Sequence, residues 1–133
     1  MSPTGRKGRS IHVPNVGHKA PIPLAARVGQ VLCSSAIAGK NPADGSLPAD
    51  GPLQCAHAFA NMKAVLAAGG AGLGDVVRLS VMLADDALRD AINAQWLACF
   101  PDPDDRPARH ISVQPLQHGM QVQLELMAVI QHP

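Results

Sequence analysis

Alternating polar and apolar positions predict the strands of this chain. The clearest case runs from Gln121 to Ile130 and begins with strict alternation. A period of two is typical of a strand with one covered face. Apolar runs rich in β-branched residues predict further strands at residues 11–13, 24–28, 31–37 and 76–83. Because Pro107 favours extended backbone before it, another strand is expected from about Ala108.

Apolar residues at spacings of three and four predict two helices. The first begins near Pro52 and ends at Gly69-Gly70. The second follows Asp85 or Asp86, either of which can cap it, and ends at Pro101. The expected buried stripes are Cys55, Phe59, Met62 and Leu66 in the first helix and Leu88, Ile92, Trp96 and Cys99 in the second.

The predicted order, β-β-β-α-β-α-β-β, indicates an α+β fold with two helices packed on one face of a single sheet. The 133 residues suit one domain with one core, and about residues 1–10 are expected to form a flexible arm. Two short helices cover only one face of a sheet. The other face is therefore expected to pack against identical subunits.

Composition narrows the classes of function. The net charge is +1, only 2% of the residues are aromatic and none is tyrosine, which argues against nucleic-acid binding. No apolar run has the length of a membrane span, and the start of the chain lacks the apolar core of a signal peptide. The cysteines are odd in number and scattered, which suits reduced thiols in a cytoplasmic protein. Cys33, Cys55 and Cys99 lack ligand-like spacing and are expected to be reduced, buried thiols. The histidines also lack ligand spacing, so no metal is expected.

One arginine is a candidate for binding chemistry. Arg109 lies in a short apolar run just after Pro107, at the predicted start of a strand. An arginine there stands at a sheet edge or mouth, where its planar guanidinium suits a carboxylate. The alternative is a structural ion pair, because most arginines are surface or pairing residues. The residues alone leave both interpretations open.

Five segments, in unbroken order over roughly residues 20–130, resemble one known family. They are Ser34-Ser35-Ala36-Ile37 with Asn41-Pro42 and Gly45, Phe59 to Leu66, Asp75 to Val81, Arg106-Pro107-Ala108-Arg109, and Val122 to Ala128. The first resembles "SGQIP…NPxTG", the fourth "RPAR" and the fifth "xExEAxA" of the reactive intermediate deaminase family, the YjgF-type or L-PSP group. Each motif alone is modest, but the five in this order are specific to the family.

The resemblance implies a chorismate-mutase-like fold and a homotrimer with clefts between subunits. It also implies hydrolysis of enamine and imine intermediates to 2-oxo acids and ammonia, without a cofactor. Arg109 would hold the substrate carboxylate in such a cleft. Ser34 and Ser35 match a segment whose backbone groups bind substrate, and Asn93 matches the asparagine of the family's second helix.

Three positions depart from the family pattern. Ala20-Pro21-Ile22 replaces "GPY", so the tyrosine is absent, and Ile111 stands where close deaminases often have cysteine. Gln123 replaces the carboxylate of the last strand that is often credited with handling the water. The carboxylate-binding arginine is thus kept while the groups around the water differ. We expect a divergent branch with a different or larger substrate.

Several groups are candidates for handling the attacking water. Gln123 can orient a water but cannot take its proton, whereas Glu125, on the same strand face, or His18 can act as a base. The alternatives are an ion-pairing Glu125, a solvent-exposed His18 and an Asn93 that only satisfies a neighbouring loop. His110 follows Arg109 directly and is expected on the opposite face of the strand.

Other functions stay open on the sequence. A trimer of this kind can serve as a non-catalytic binding module for small carboxylate metabolites, which the missing tyrosine and carboxylate favour. Ribonuclease activity, a label attached to some relatives, is disfavoured by the +1 charge and the few aromatic residues. A further alternative is a deaminase with the same chemistry and a different substrate, such as an aminomuconate-type dienamine.

Overall fold

Seven strands of one sheet and two helices form the core of residues 8–131, the part of the chain that the computed structural model describes. The strands are β1 (Ser10–Ile11), β2 (Ala25–Val28), β3 (Val31–Ser34), β4 (Ile37–Ala38), β5 (Val76–Leu83), β6 (Ala108–Val113) and β7 (Val122–Val129). The helices are α1 (Gly51–Ala68) and α2 (Arg89–Cys99). Asp85 Oδ1 accepts a hydrogen bond of 2.9 Å from the N–H of Ala87 and caps the short 3-10 turn Asp86–Leu88 that leads into α2. Helix α2 itself begins after Leu88 without a side-chain cap, so neither aspartate caps it directly.

The sheet is mixed and is centred on its last strand. The strand order is β1-β2-β3-β7-β5-β6, and β4 pairs with β7 beyond the end of β3. Strands β5 and β6 are parallel and are joined through α2, whereas the other described pairs are antiparallel. The predicted α+β sheet with both helices on one face is confirmed. Strand β6 lies at the edge of the sheet, where Arg109 was expected.

Helix α1 covers the centre of the sheet. Alternation along β7 buries one side of the strand, and both predicted helical stripes are buried except for Cys99, which is half-buried. Burying one Leu, Phe or Met side chain contributes about 1.5–3 kcal/mol to stability. Helix α1 and strand β7 are in contact, and the core residues that they contribute include Phe59, Met62, Leu66, Leu124 and Leu126.

The strand predicted at residues 31–37 is broken into β3 and β4. Two hydrogen bonds explain the break: the N–H of Leu126 donates to Ser34 Oγ at 2.9 Å, and the N–H of Ser35 donates to Leu24 O at 2.8 Å. The Ser34 hydroxyl thus accepts the hydrogen bond that a strand carbonyl would accept in an unbroken ladder, so the N–H of Leu126 is not left unpaired. The chain leaves β7 at Ser35 and returns to it at Ile37.

The face of the sheet opposite the helices has no covering layer within residues 8–131; we call it the open face. It presents apolar side chains that are 37–53% exposed, namely Val28, Val31, Met127 and Val129. Cys33 pairs with Met127 and is exposed on this face. The expectation that each cysteine is buried was therefore wrong for Cys33, because no described residues form a layer above its strand.

Two buried amides of α1 fix the loops that approach the ends of β4 and β7. Asn61 Nδ2 donates to Ala38 O at 3.0 Å and to Lys40 O at 2.8 Å. Gln54 Nε2 donates to Pro48 O at 2.7 Å, and its Oε1 accepts from the N–H of Gln121 at 2.9 Å. These bonds hold residues 38–48 and the start of β7 in place, which matters because both border the cavity described below.

The N-terminal segment is described only in part. Residues 1–7 of the expected arm lie outside the described residues, and strand β1 begins at Ser10, which pairs with Ala26. In the portion 8–131, no helix is both long enough and apolar enough to cross a membrane.

Candidate active site

The guanidinium of Arg109 is held by two side chains of α2. In the pairing of β6 with β5, Arg109 lies beside Leu79, which faces the helices. Arg109 Nη1 donates to Asn93 Oδ1 at 2.9 Å, and its Cζ lies 4.9 Å from the ring centroid of Trp96, a cation–π contact. We call Arg109, Asn93 and Trp96 the arginine cluster. Its contacts fix the guanidinium in one orientation.

Arg109 has no carboxylate within 4 Å in residues 8–131, where the one ion pair joins Arg89 and Asp86. Its hydrogen bond to Asn93 uses one of the five N–H donors of a guanidinium. Burial, followed by the charge of Arg89, lowers the pKa of Arg109 from its ordinary value; an arginine in a protein nevertheless keeps its proton at neutral pH. The structural ion pair considered as the alternative is not formed here. The group remains able to bind an external anion.

The neighbouring arginine of the same motif has a different environment. Arg106 Nε donates to Phe100 O at 2.8 Å, and its Nη2 reaches Pro101 O at 3.3 Å. These bonds close the turn between α2 and β6. Arg106 therefore stabilises the turn, whereas Arg109 uses one donor to bind a side chain of α2.

A cavity of about 480 Å³ lies on the other side of the sheet. Its walls come from β4, from β7 and from the loops near residues 16–20, 40–47 and 118–120, and they include His18, Lys40, Ala36, Ala38 and Gln123. The Nε2 atom of His18 is buried and has no hydrogen-bond partner among the described residues, and Lys40 Nζ donates to Gly17 O at 2.7 Å. No acidic side chain is among the described residues that line this cavity. Its ionisable groups are thus cationic or neutral.

The two candidate residues of β7 lie on the open face, as the period of two predicts. Gln123 pairs with Ala38 on one side and Met82 on the other, and it lines the cavity. Its Nε2 donates to the sulfur of Met120 at 3.3 Å, which leaves Oε1 available as an acceptor. Glu125 pairs with Ser80, is exposed and does not line the cavity.

The predicted site residues form two groups that one chain does not bring together. Arg109 and Asn93 meet on the helix side of the edge strand, whereas His18 and Gln123 meet at the cavity on the open face. Ser34 and Ser35 lie at the break beside this cavity, with the Ser34 hydroxyl and the Ser35 N–H bonded within the chain. The neighbouring Ala36 lines the cavity itself.

Sequence reasoning missed two residues of these groups. Trp96 was predicted only as a core residue, although its spacing of three from Asn93 places both on one helix face. Lys40 was not predicted as a site residue. It lines the cavity because Asn61 binds its backbone carbonyl and holds its loop near β7, a contact between residues distant in sequence. Within residues 8–131, no three His, Cys, Asp or Glu side chains are grouped to hold a metal ion.

The fold and the arginine cluster define a class of α+β protein with one mixed sheet, two helices on one face and an arginine on the edge strand. The chain belongs to the family described as Endoribonuclease L-PSP, whose model matches residues 20–130. The 2-iminobutanoate/2-iminopropanoate deaminase of Escherichia coli K12 is 30% identical over 104 residues, which cover 77% of this chain and 81% of that protein.

Solved structures agree with the assignment. RidA from the Antarctic bacterium Psychrobacter superposes with a TM-score of 0.82 at 27% identity, over 92% of this chain and 99% of that one. The YjgF gene product of Escherichia coli gives a TM-score of 0.81 at 26% identity, over 92% and 98% of the two chains.

Proposed function

We propose that the protein is an imine and enamine deaminase that converts 2-imino acids, or the 2-amino-enoates that tautomerise to them, into 2-oxo acids and ammonia. The observation that carries the proposal is the arginine cluster, because its oriented guanidinium lacks an internal carboxylate in residues 8–131. A 2-imino acid supplies that carboxylate next to its reactive carbon. The deaminase among the relatives supports this chemistry.

The active site is built between subunits of a homotrimer. Two observations support this: the arginine cluster and the cavity lie on different faces of one chain, and the open face exposes Val28, Val31, Met127 and Val129. Packing the open faces of identical subunits together removes these side chains from water. It also lets Arg109 of one subunit approach the cavity of the next. A cytoplasmic location and the absence of a nucleic-acid partner remain parts of this proposal.

The reaction begins with a substrate bound by its carboxylate to Arg109. An enamine takes a proton at carbon and becomes an imine, so both substrate forms present the same electrophilic carbon. Water adds to that carbon, a proton passes to nitrogen, and the C–N bond breaks as the C=O bond forms. One water is consumed and one ammonia leaves, and no electrons are exchanged. Binding the carboxylate positions the carbon, which is a large part of the catalysis.

The residues of the cavity would handle the water. His18 lines the cavity, and an imidazole at this position can accept a proton from the water. Gln123 Oε1 can orient the same water. Glu125 is the alternative base, on the same face one pair further along β7. Ser34 and Ser35 would act by shaping the break beside the cavity, and Asn93 by orienting Arg109.

A non-catalytic binding module is the second candidate. Gln123 occupies the cavity where the family often has a carboxylate, and Ile22 stands in place of the tyrosine and is 47% exposed. Such a protein would bind a 2-oxo or 2-imino acid through Arg109 without releasing ammonia.

One assay separates the two candidates. An amino-acid oxidase generates 2-iminopropanoate or 2-iminobutanoate in the cuvette, and ammonia release is followed with and without the protein. A deaminase accelerates the release of ammonia. Arg109→Ala then lowers kcat/KM by an amount that corresponds to a loss of about 2–4 kcal/mol of transition-state stabilisation. Arg9→Ala is the matched control, because Arg9 is exposed and distant along the chain. Ammonia release at the uncatalysed rate, with retained binding of 2-oxobutanoate, would establish the binding module instead.

A further inference from the structure

Arg89 lies on the same face of α2 as the two residues that hold Arg109. Arg89, Asn93 and Trp96 are separated by four and three residues, and side chains at this spacing are neighbours on a helix, with Cβ atoms about 5–6 Å apart. Asn93 and Trp96 both contact the guanidinium of Arg109. The charge of Arg89, after burial, also lowers the pKa of Arg109. A second cation therefore stands about one helical turn from the arginine cluster.

The partner of Arg89 within the chain is replaceable. Arg89 Nε and Nη2 donate to a single oxygen, Asp86 Oδ1, at 3.1 and 2.9 Å. The two side chains are 46% and 67% exposed, and exposed ion pairs contribute little stability because water screens them. The pair also leaves most of the five guanidinium donors unused. An anionic ligand group can thus bind Arg89 beside Asp86 or in its place.

We propose that the preferred substrates carry a second anionic group, and that Arg89 binds this group while Arg109 binds the carboxylate next to the imine carbon. Imines and enamines of dicarboxylic amino acids form this class. A substrate with a short uncharged side chain would neutralise only one of the two adjacent cations. The cavity fits the same class, because Lys19 and Lys40 line it and its described lining contains no acid.

The inference rests on the proposed deaminase function, and its test compares two kinds of imine. Amino-acid oxidases generate the dicarboxylate imine from glutamate and the monocarboxylate imine from alanine, and kcat/KM is measured for both. In the unmodified protein, the ratio of the dicarboxylate value to the monocarboxylate value exceeds one. In Arg89→Gln this ratio falls roughly ten- to hundredfold, the loss expected for a charge-assisted hydrogen bond. Arg89→Lys keeps the charge and recovers part of the ratio.

Asp86→Asn is the matched control, since it breaks the same ion pair and keeps the cation. It should leave the ratio unchanged or raise it, because Arg89 then has no internal competitor. An equal fall in Asp86→Asn and Arg89→Gln would assign the effect to helix structure and overturn the proposal. So would an unmodified protein that prefers the monocarboxylate imine.

Binding measurements keep this test separate from that of the deaminase function. Calorimetry with 2-oxoglutarate and 2-oxobutanoate measures the same preference without any reaction. If no imine is hydrolysed but 2-oxoglutarate binds more tightly in an Arg89-dependent way, the deaminase proposal fails and the role of Arg89 stands. If imines are hydrolysed but Arg89→Gln changes the dicarboxylate preference neither in kcat/KM nor in binding, the deaminase proposal stands and the role of Arg89 fails.

Discussion

Arg109 and Gln123 lie on opposite faces of one sheet, with β5 between their strands. Arg109 pairs with Leu79, which faces the helices, whereas Gln123 pairs with Met82 and lines the cavity on the open face. A sheet is one layer of backbone, so a small substrate cannot contact both side chains within one chain. A site that uses both residues requires a second subunit.

Complementation between two inactive variants tests this arrangement. Arg109→Ala removes the arginine, and Ala38→Phe fills the cavity that Ala38 lines. After subunits are exchanged in a 1:1 mixture, about one quarter of the interfaces combine an intact arginine with an intact cavity. Ammonia release should recover to that extent. A mixture in which exchange is verified by mass but activity stays absent would contradict a shared site.

Asn93→Ala should weaken substrate binding more than it slows the reaction. Asn93 Oδ1 accepts the hydrogen bond that orients Arg109, and losing such a bond costs about 0.5–1.5 kcal/mol. We expect KM to rise severalfold while kcat changes less. Gln95→Ala, two positions along α2, serves as the control. An unchanged KM would mean that Trp96 alone orients the guanidinium.

In a His18→Gln background, Gln123→Glu should raise kcat. The substitution places a carboxylate in the cavity, and a positioned general base accelerates proton transfer by about 10²–10⁴-fold. We expect at least a tenfold increase in ammonia release at neutral pH, and none for Gln123→Met. His18→Gln alone should abolish ammonia release, because it removes the proposed base. An equal kcat in His18→Gln with and without Gln123→Glu would contradict a water-handling role for the cavity.

The cysteines report on the assembly. Cys33 lies on the open face, whereas Cys55 is buried, and burial raises the pKa of the Cys55 thiol to about 11. Cys55 should stay protonated and unreactive toward a thiol reagent until the protein unfolds. Cys33 should react slowly if the open faces pack in the proposed trimer, and quickly in Val31→Asp, which places a charge on the open face. Equal rates in both proteins would show that the open face is not the interface.

Asn61→Ala should be strongly destabilising. Asn61 is fully buried and donates to the carbonyls of Ala38 and Lys40. Its removal leaves both acceptors unpaired, at about 1–3 kcal/mol each. Thermal or urea unfolding should register the loss, and the exposed Lys63→Ala should change stability by less than about 0.5 kcal/mol. A variant as stable as the parent would mean that water replaces the amide.

Much of the fold is predictable because burial leaves a local periodic pattern. The alternation of β7 and the stripe that contains Phe59 and Met62 follow directly from spacing. The break after Ser34 was not predictable, since it depends on Leu24 and Leu126, which are distant in sequence.

The candidate site was predicted less completely than the fold. Arg109 could be singled out by its motif, and Gln123 by its departure from one. Their placement on separate faces depends on the order of strands, which periodicity does not reveal. The exposure of Cys33 likewise reflects a covering layer that the described part of the chain does not supply.

The gap between β3 and β4 sets a limit on how rigid this molecule can become. Continuing β3 along β7 would add ladder hydrogen bonds and free Ser34 from its substitute role. The same change would bring the backbone of residues 36–38 into continuous pairing with β7 and close the cavity that Ala36 and Ala38 line. Variants selected only for heat resistance should therefore tend to join β3 and β4 into one continuous strand and to lose the cavity. Thermal stability would then increase at the expense of catalysis.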